Sequence, residues 1–222
     1  ELRGAMHALF APGALPTGWA RQLRALEPSA SMFAVHLGIR GPRPGLAPVN
    51  HLQLDGRTLE LVLPSLVDAS AAPPGHHTVE LMQLLDPAEA RGWFEQPELT
   101  SPQAQRRSAA YAARKAAFAE AMIDAAARLI PELRERIVWR SEASPLSFRR
   151  YGWSEFGAVY GSRDPHQPLA RRSPVPGLVL AGAATHGPGI EAVVISGAEA
   201  ADALWPGLLQ GAPRAAAEGV AT

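Results

Sequence analysis

The chain has 222 residues, 47% of them hydrophobic, with 21 basic and 21 acidic side chains in balance. That length supports a sizeable core in one or two domains, and a pI near 7.3 argues against nucleic acid as a partner. Cysteine is absent, which excludes disulfides, thiolate metal sites and a cysteine nucleophile, and fits a reducing cytoplasm.

Taken in chain order, Phe33, Val35, Leu37 and Ile39 alternate with Met32, Ala34, His36 and Gly38. That pattern predicts a strand with one strongly apolar face. Leu59, Leu61 and Leu63 alternate with Thr58, Glu60 and Val62, and Val79, Leu81 and Leu85 lie on one phase of a third strand. Gly/Pro/Asn/Asp connections separate these runs, among them residues 41–50 and Pro73-Pro74-Gly75. An antiparallel or mixed sheet of about four to six strands is expected from residues near 30–90.

Thr100-Ser101-Pro102-Gln103 supplies a capping hydroxyl and an early-turn proline for a helix. Tyr111, Phe118, Met122, Ala125 and Leu129 follow at helical spacing, and Pro131 bends or ends the helix. The stripe reads as core or as a substrate wall, with Arg114 and Lys115 toward solvent. No apolar run approaches the ~20 residues of a spanning helix.

Further on, Leu178, Val179 and Leu180 form a short apolar run, as expected for a strand covered on both faces. Gly182, Gly187 and Gly189 then clear side chains from a tight loop, and a helix runs from Glu191 to Leu204. A strand feeding a glycine loop that opens a helix leaves backbone N–H groups aimed at one spot. That spot favours a phosphate or an electron-rich ring oxygen. A plain βα turn is the other reading of the same pattern. The Ala/Gly/Pro-rich tail, residues 211–222, is expected to fray.

Candidate catalytic groups are few. Seven histidines occur without an HExxH or other paired spacing, so no metal site is expected. His76 and His77 would face opposite sides of a strand. His186 lies inside the glycine loop, where it lines a pocket, bonds locally or takes part in chemistry. Ser196 lacks a GxSxG elbow and reads as a small helix-packing residue. Glu191 complements a helix dipole, and Asp68 and Glu155 read as turn and surface groups.

The stretch LAGAATHGPGIEAVVISGAEAA, residues 180–201, resembles the C-terminal flavin-binding segment of the phytoene dehydrogenase-related family. That family comprises carotenoid desaturases, carotenoid isomerases and retinol saturases, within the FAD-dependent amine-oxidase superfamily. LEPSASMFAVHLGI (26–39) resembles the strand that opens the family's substrate-domain sheet. LPSLVDASAAPPGHHTVELM (63–82) resembles its Pro-Ser…Asp-x-Ser…Ala-Pro-x-Gly-x-His stretch. Residues 111–151 resemble its long helix and the Ser/Thr-Pro-Leu turn beyond it. AVYGSRDPHQPLARRSPVPGL (158–178) resembles the Tyr-Gly…Gln…Arg-x-x-x-Pro-x-x-Gly-Leu run before the flavin strand.

The resemblance implies an α/β fold with α+β character. It joins a substrate-domain mixed or antiparallel sheet with helices to the C-terminal strand–loop–helix of an FAD-binding Rossmann-like domain. Expected boundaries are 1–157 for the substrate part, 158–210 for the flavin part and 211–222 for the tail. FAD is the implied cofactor. By resemblance, Gly182 and Ala183 lie near its pyrophosphate or ribityl, and Gly189, Ile190, Glu191 and Ala192 near the flavin ring. No catalytic acid or base carries over.

One part of the family pattern is missing. No strand–GxGxxG–helix unit for the ADP moiety occurs, and residues 41–45, Gly-Pro-Arg-Pro-Gly, are broken by proline. The chain also starts at Glu1, and the loop is shorter than the family's usual form. The expectation is about half of a flavoprotein, its complementary N-terminal FAD-binding half missing or on a separate chain. Apolar surface should then be uncovered around residues 179–181 and 193–195. Two readings stand open. One is the C-terminal portion of an FAD-dependent oxidoreductase acting on an apolar, polyene- or isoprenoid-like small molecule. The other is a non-catalytic remnant or interaction domain. The expected location is cytoplasmic, with peripheral membrane contact of the assembled enzyme.

Overall fold

The structure, a computed structural model, describes residues 2–11, 13–95, 108–163, 169 and 172–210. The chain opens with helices α1 (Leu2–Leu9) and α2 (Thr17–Ala25) and strands β1 (Glu27–Pro28), β2 (Ser31–Arg40), β3 (Val49–Leu54), β4 (Arg57–Val62) and β5 (His76–Leu85). Helices α3 (Pro87–Gly92), α4 (Ala109–Ala127) and α5 (Leu133–Arg136), strand β6 (Ile137–Ala143) and helix α6 (Pro145–Gly152) follow. Strand β7 (Ser162–Arg163) and helices α7 (Ala183–His186) and α8 (Ile190–Leu204) complete the described elements.

The fold is α/β and divides into two compact units. One is Ala30–Val159; the other joins the residues up to Ser29 to those from Tyr160 onward. Residues up to Ser29 thus group with the C-terminal segment and not with the sheet. The cause is packing: Met6, Trp19, Leu23 and Leu26 share a buried cluster with Leu169 and Leu180.

In the Ala30–Val159 unit, five strands run in the order β3-β4-β5-β2-β6, every neighbouring pair antiparallel. Four of them fall within residues 31–85 as expected, and β6 is the addition. Register explains the core. Val35 lies opposite Leu81 and Leu37 opposite Val79, while Leu61 continues the row from β4. All of these side chains are buried, with Phe33, Ile39, Leu59 and Leu63, in one cluster with Ala119, Met122, Ile123 and Ala126 of α4. Each large apolar side chain so covered contributes ~1.5–3 kcal/mol. Gln83 occupies the same phase and is buried too; its amide reaches the Leu54 carbonyl at 3.5 Å.

Helix α4 starts at Ala109, where the Ser108 hydroxyl accepts from the Tyr111 N–H at 3.1 Å. The start expected at residues 100–103 lies outside the described residues. Tyr111, Met122 and Ala125 are buried, and Phe118 packs against the core from its margin. Leu129 is exposed instead, because the helix ends at Ala127 and the following turn sends Ile130 inward. Glu132, after Pro131, takes a left-handed conformation with φ 56°. Arg114 is exposed, but its guanidinium lies 4.2 Å from the Trp93 ring. Lys115 is half-buried and pairs with Glu142 at 3.7 Å, so it does not simply point to solvent.

His76 and His77 fall on opposite faces of β5, as alternation requires. His77 pairs with Ile39 on the core side, and its Nδ1 is buried without a hydrogen-bond partner among the described residues. Burial first, and then the charges of Arg136 and Arg43, hold its pKa below the ordinary 6.5. Protonation therefore favours the unfolded chain. His77 is neutral at no cost above pH 6.5, and stability falls as the pH drops from 6.5 through the folded-state pKa. We expect denaturation midpoints to decline over that window and the decline to flatten in His77→Gln. A His77 NMR titration midpoint at or above 6.5 would contradict the assignment.

In the other unit, the strand expected at residues 178–180 is not formed. Val179 makes a single antiparallel bridge to Arg172. A strand requires a partner along its length; here the described partners are Arg172 in that bridge and Ser173, whose N–H donates to the Leu178 carbonyl at 3.4 Å. Leu180 is nonetheless buried, with Leu178 and Val179 half-buried. Helix α8 appears where expected, one residue longer at its start.

Candidate functional site

The sequence-predicted site lies between Leu180 and Ser196. Leu180 is anchored in the unit's apolar cluster, so the glycine segment leaves from a fixed point. Gly182, Gly187 and Gly189 have φ of 105°, 120° and 107°. The segment read as a continuous loop contains the one-turn helix α7, and Gly182 and Ala183 sit at its start. Gly189 precedes α8, whose first turn holds Ile190, Glu191 and Ala192. The six predicted residues therefore sit at two successive helix starts within one unit.

The first described backbone hydrogen bond across the α8 start runs from the Val193 N–H to the Gly189 carbonyl, at 3.0 Å. The amides of Ile190, Glu191 and Ala192 precede it and have no intrahelical acceptor. Glu191 is the acidic residue of this turn, as expected for the positive end of a helix. A Cβ built on Gly182, Gly187 or Gly189 would meet nothing within 4 Å, so the space in front of the loop is open.

Gly182 itself offers no free donor. Its N–H donates to Ser196 Oγ at 2.9 Å, and its carbonyl accepts from Thr185 Oγ1, also at 2.9 Å. Thr185 Oγ1 and Ser196 Oγ lie 2.7 Å apart. Ser196 is thus more than a packing residue, a role that local spacing could not disclose because the bond spans fourteen positions. His186 is exposed, and its Nδ1 lies 3.3 Å from a Glu199 carboxylate oxygen. Asp68 and Glu155 lie elsewhere in the chain. Asp68 accepts from the Ser70 hydroxyl and N–H, bonds that hold its carboxyl below the usual range. Glu155 opens a short turn, Glu155–Gly157.

Helix α8 is apolar in composition, yet only Ser196 and Ala200 are buried on it. Ile190 is 84% exposed and Val194 65%, with Val193 and Ile195 also exposed. A helix apolar around most of its circumference is ordinarily covered on most sides. The expected uncovered surface is therefore present at residues 193–195; around 179–181 only Ala181 is exposed. Among the described residues, no helix is long and apolar enough to cross a membrane.

The chain is α/β, with a glycine-rich helix start in one unit and an antiparallel sheet in the other. The family model for flavin containing amine oxidoreductase matches residues 2–205, and the chain belongs to that family. Among solved structures, the chain is similar to an oxidoreductase from Methanosarcina mazei, with a TM-score of 0.51 at 13% identity. The likeness covers 88% of this chain and 39% of that one, so the chain spans about two-fifths of that oxidoreductase's length. At this identity it shows the fold alone. No curated protein matches the chain.

The family implies a flavin, and the residues present fit its ring end. Open space lies over the Gly189 cradle, and amides without intrahelical acceptors start α8.

Proposed function

We propose that the chain is the C-terminal portion of an FAD-dependent oxidoreductase of the phytoene dehydrogenase-related branch. It would act in the cytoplasm on an apolar, polyene- or isoprenoid-like molecule, by desaturation, saturation or isomerisation. Bound flavin would supply the redox chemistry, accepting hydride or electrons in desaturation and, when reduced, supplying them in saturation. This chain's residues would hold the ring edge at the amides of Ile190, Glu191 and Ala192, favouring negative charge there. The open Gly182–Gly189 segment would admit the ribityl. The observation that carries this reading is the α8 start behind a glycine loop, in a chain matched over residues 2–205 by a flavin family.

The partner in this reading is a nucleotide-binding half bearing a GxGxxG unit. Its support is the exposed apolar α8 face and the chain's 39% share of the similar oxidoreductase. An apolar substrate is consistent with peripheral membrane contact of the assembled enzyme. The absence of GxGxxG within the chain favours the second reading, a remnant without cofactor. Co-expression with the polypeptide encoded directly upstream separates the two. A desalted complex that keeps flavin absorbance supports the oxidoreductase, and a colourless complex overturns it.

A further inference from the structure

We infer that Ser196 and Thr185 are positioning residues for the flavin cradle, acting together through a closed hydrogen-bond ring. The inference rests on the flavin reading above. Proton order in the ring is fixed by its ends. Thr185 Oγ1 uses its hydrogen on the Gly182 carbonyl at 2.9 Å, so Ser196 Oγ must donate to Thr185 Oγ1 at 2.7 Å. Ser196 Oγ then accepts the Gly182 N–H at 2.9 Å. Each hydroxyl donates once and accepts once, and both backbone groups of Gly182 are satisfied. Ser196 is fully buried and Thr185 is 8% exposed, so water does not compete for these bonds.

Mechanically, the ring ties the entrance of the glycine loop to the second turn of α8. Ile190, Glu191 and Ala192 form the first turn of that helix. The ring therefore fixes the separation between the loop entrance and the amides proposed for the ring edge. A loop held by glycines has little stiffness of its own. Neither hydroxyl touches flavin in this scheme; both act through Gly182.

The test uses Ser196→Ala, Thr185→Val, the double variant and Thr185→Ser. Two readouts are taken: amide hydrogen exchange at Gly182 in the flavin-free chain, and the FAD dissociation constant of the assembled protein. Ser196→Ala and Thr185→Val should each accelerate Gly182 exchange and weaken FAD about tenfold. The double variant should be no weaker than either single, because one break opens the ring. Thr185→Ser keeps the hydroxyl and should behave as wild type. Thr185→Val is isosteric and keeps the comparison valid if Ser196→Ala fails to fold. Faster exchange with unchanged FAD affinity overturns the positioning role and leaves the flavin reading intact. Additive losses in the double variant overturn the ring as a unit. A wild-type assembly that binds no FAD overturns the flavin reading and the positioning role with it.

Discussion

Gly189→Val is expected to abolish flavin binding by the assembled protein. Gly189 combines φ 107° with ψ 154°, a region that is essentially glycine-only. The difficulty for valine is backbone conformation, since a Cβ at this position finds open space. To accommodate the side chain, φ must move, and the amides of Ile190, Glu191 and Ala192 turn with it. The strain is worth about 1–3 kcal/mol, and β-branching adds to it. Losing the aligned donors as well brings the expected fall in affinity to about a hundredfold or more. Gly189→Ala should fail for the same reason, whereas His186→Ala, whose described contact is Glu199, should remain yellow after desalting. Full colour and turnover in Gly189→Val would remove this segment from the flavin site.

Gly157→Ala should give the largest loss of stability. A Cβ on Gly157 would run into the Pro145 carbonyl oxygen and lie 2.9 Å from its carbonyl carbon, with φ at 71°. Backbone cannot yield as a flexible side-chain tip can. Either α6 shifts at its first residue, or the Glu155–Gly157 turn opens and loses the Ser31 hydroxyl bond to the Gly157 carbonyl at 2.8 Å. Overpacking and strain together cost about 3–5 kcal/mol, or about 10 °C in Tm for a chain of this size. Gly75→Ala is the control. Its φ is 74°, but its Cβ meets nothing within 4 Å, so the expected loss is about 1–2 kcal/mol from backbone alone. Equal melting shifts for the two variants would rule out the Pro145 clash.

What the sequence revealed followed the physical signal each element carries. β2, β4 and β5 bury one face against α4, so apolar alternation marks them. β3 is an edge strand, half-buried or exposed along its whole length, and its residues 49–50 looked like part of a connection. β6 is the other edge. Its register shifts opposite Gly38 and Ile39, and it leaves Val138 and Trp139 exposed, which disrupts the alternation. At residues 178–180 the apolar run was visible, but whether it becomes a strand depends on a neighbour, which no local pattern encodes. The site divides the same way. Glycines and a helix start advertise the Gly182–Ala192 segment, while the Ser196 hydroxyl meets Gly182 only after folding.

The sheet unit begins and ends at one place. The Val159 N–H donates to the Ala30 carbonyl at 3.0 Å, and on the other unit the Ser29 N–H reaches the Gly161 carbonyl at 2.9 Å. The intervening polypeptide is thus closed at both ends by one pair of neighbouring hydrogen bonds, within the stretch the family model matches. Closing a loop costs only slowly more as it lengthens, so connections inside the sheet unit can change in length while this stem keeps its hydrogen bonds.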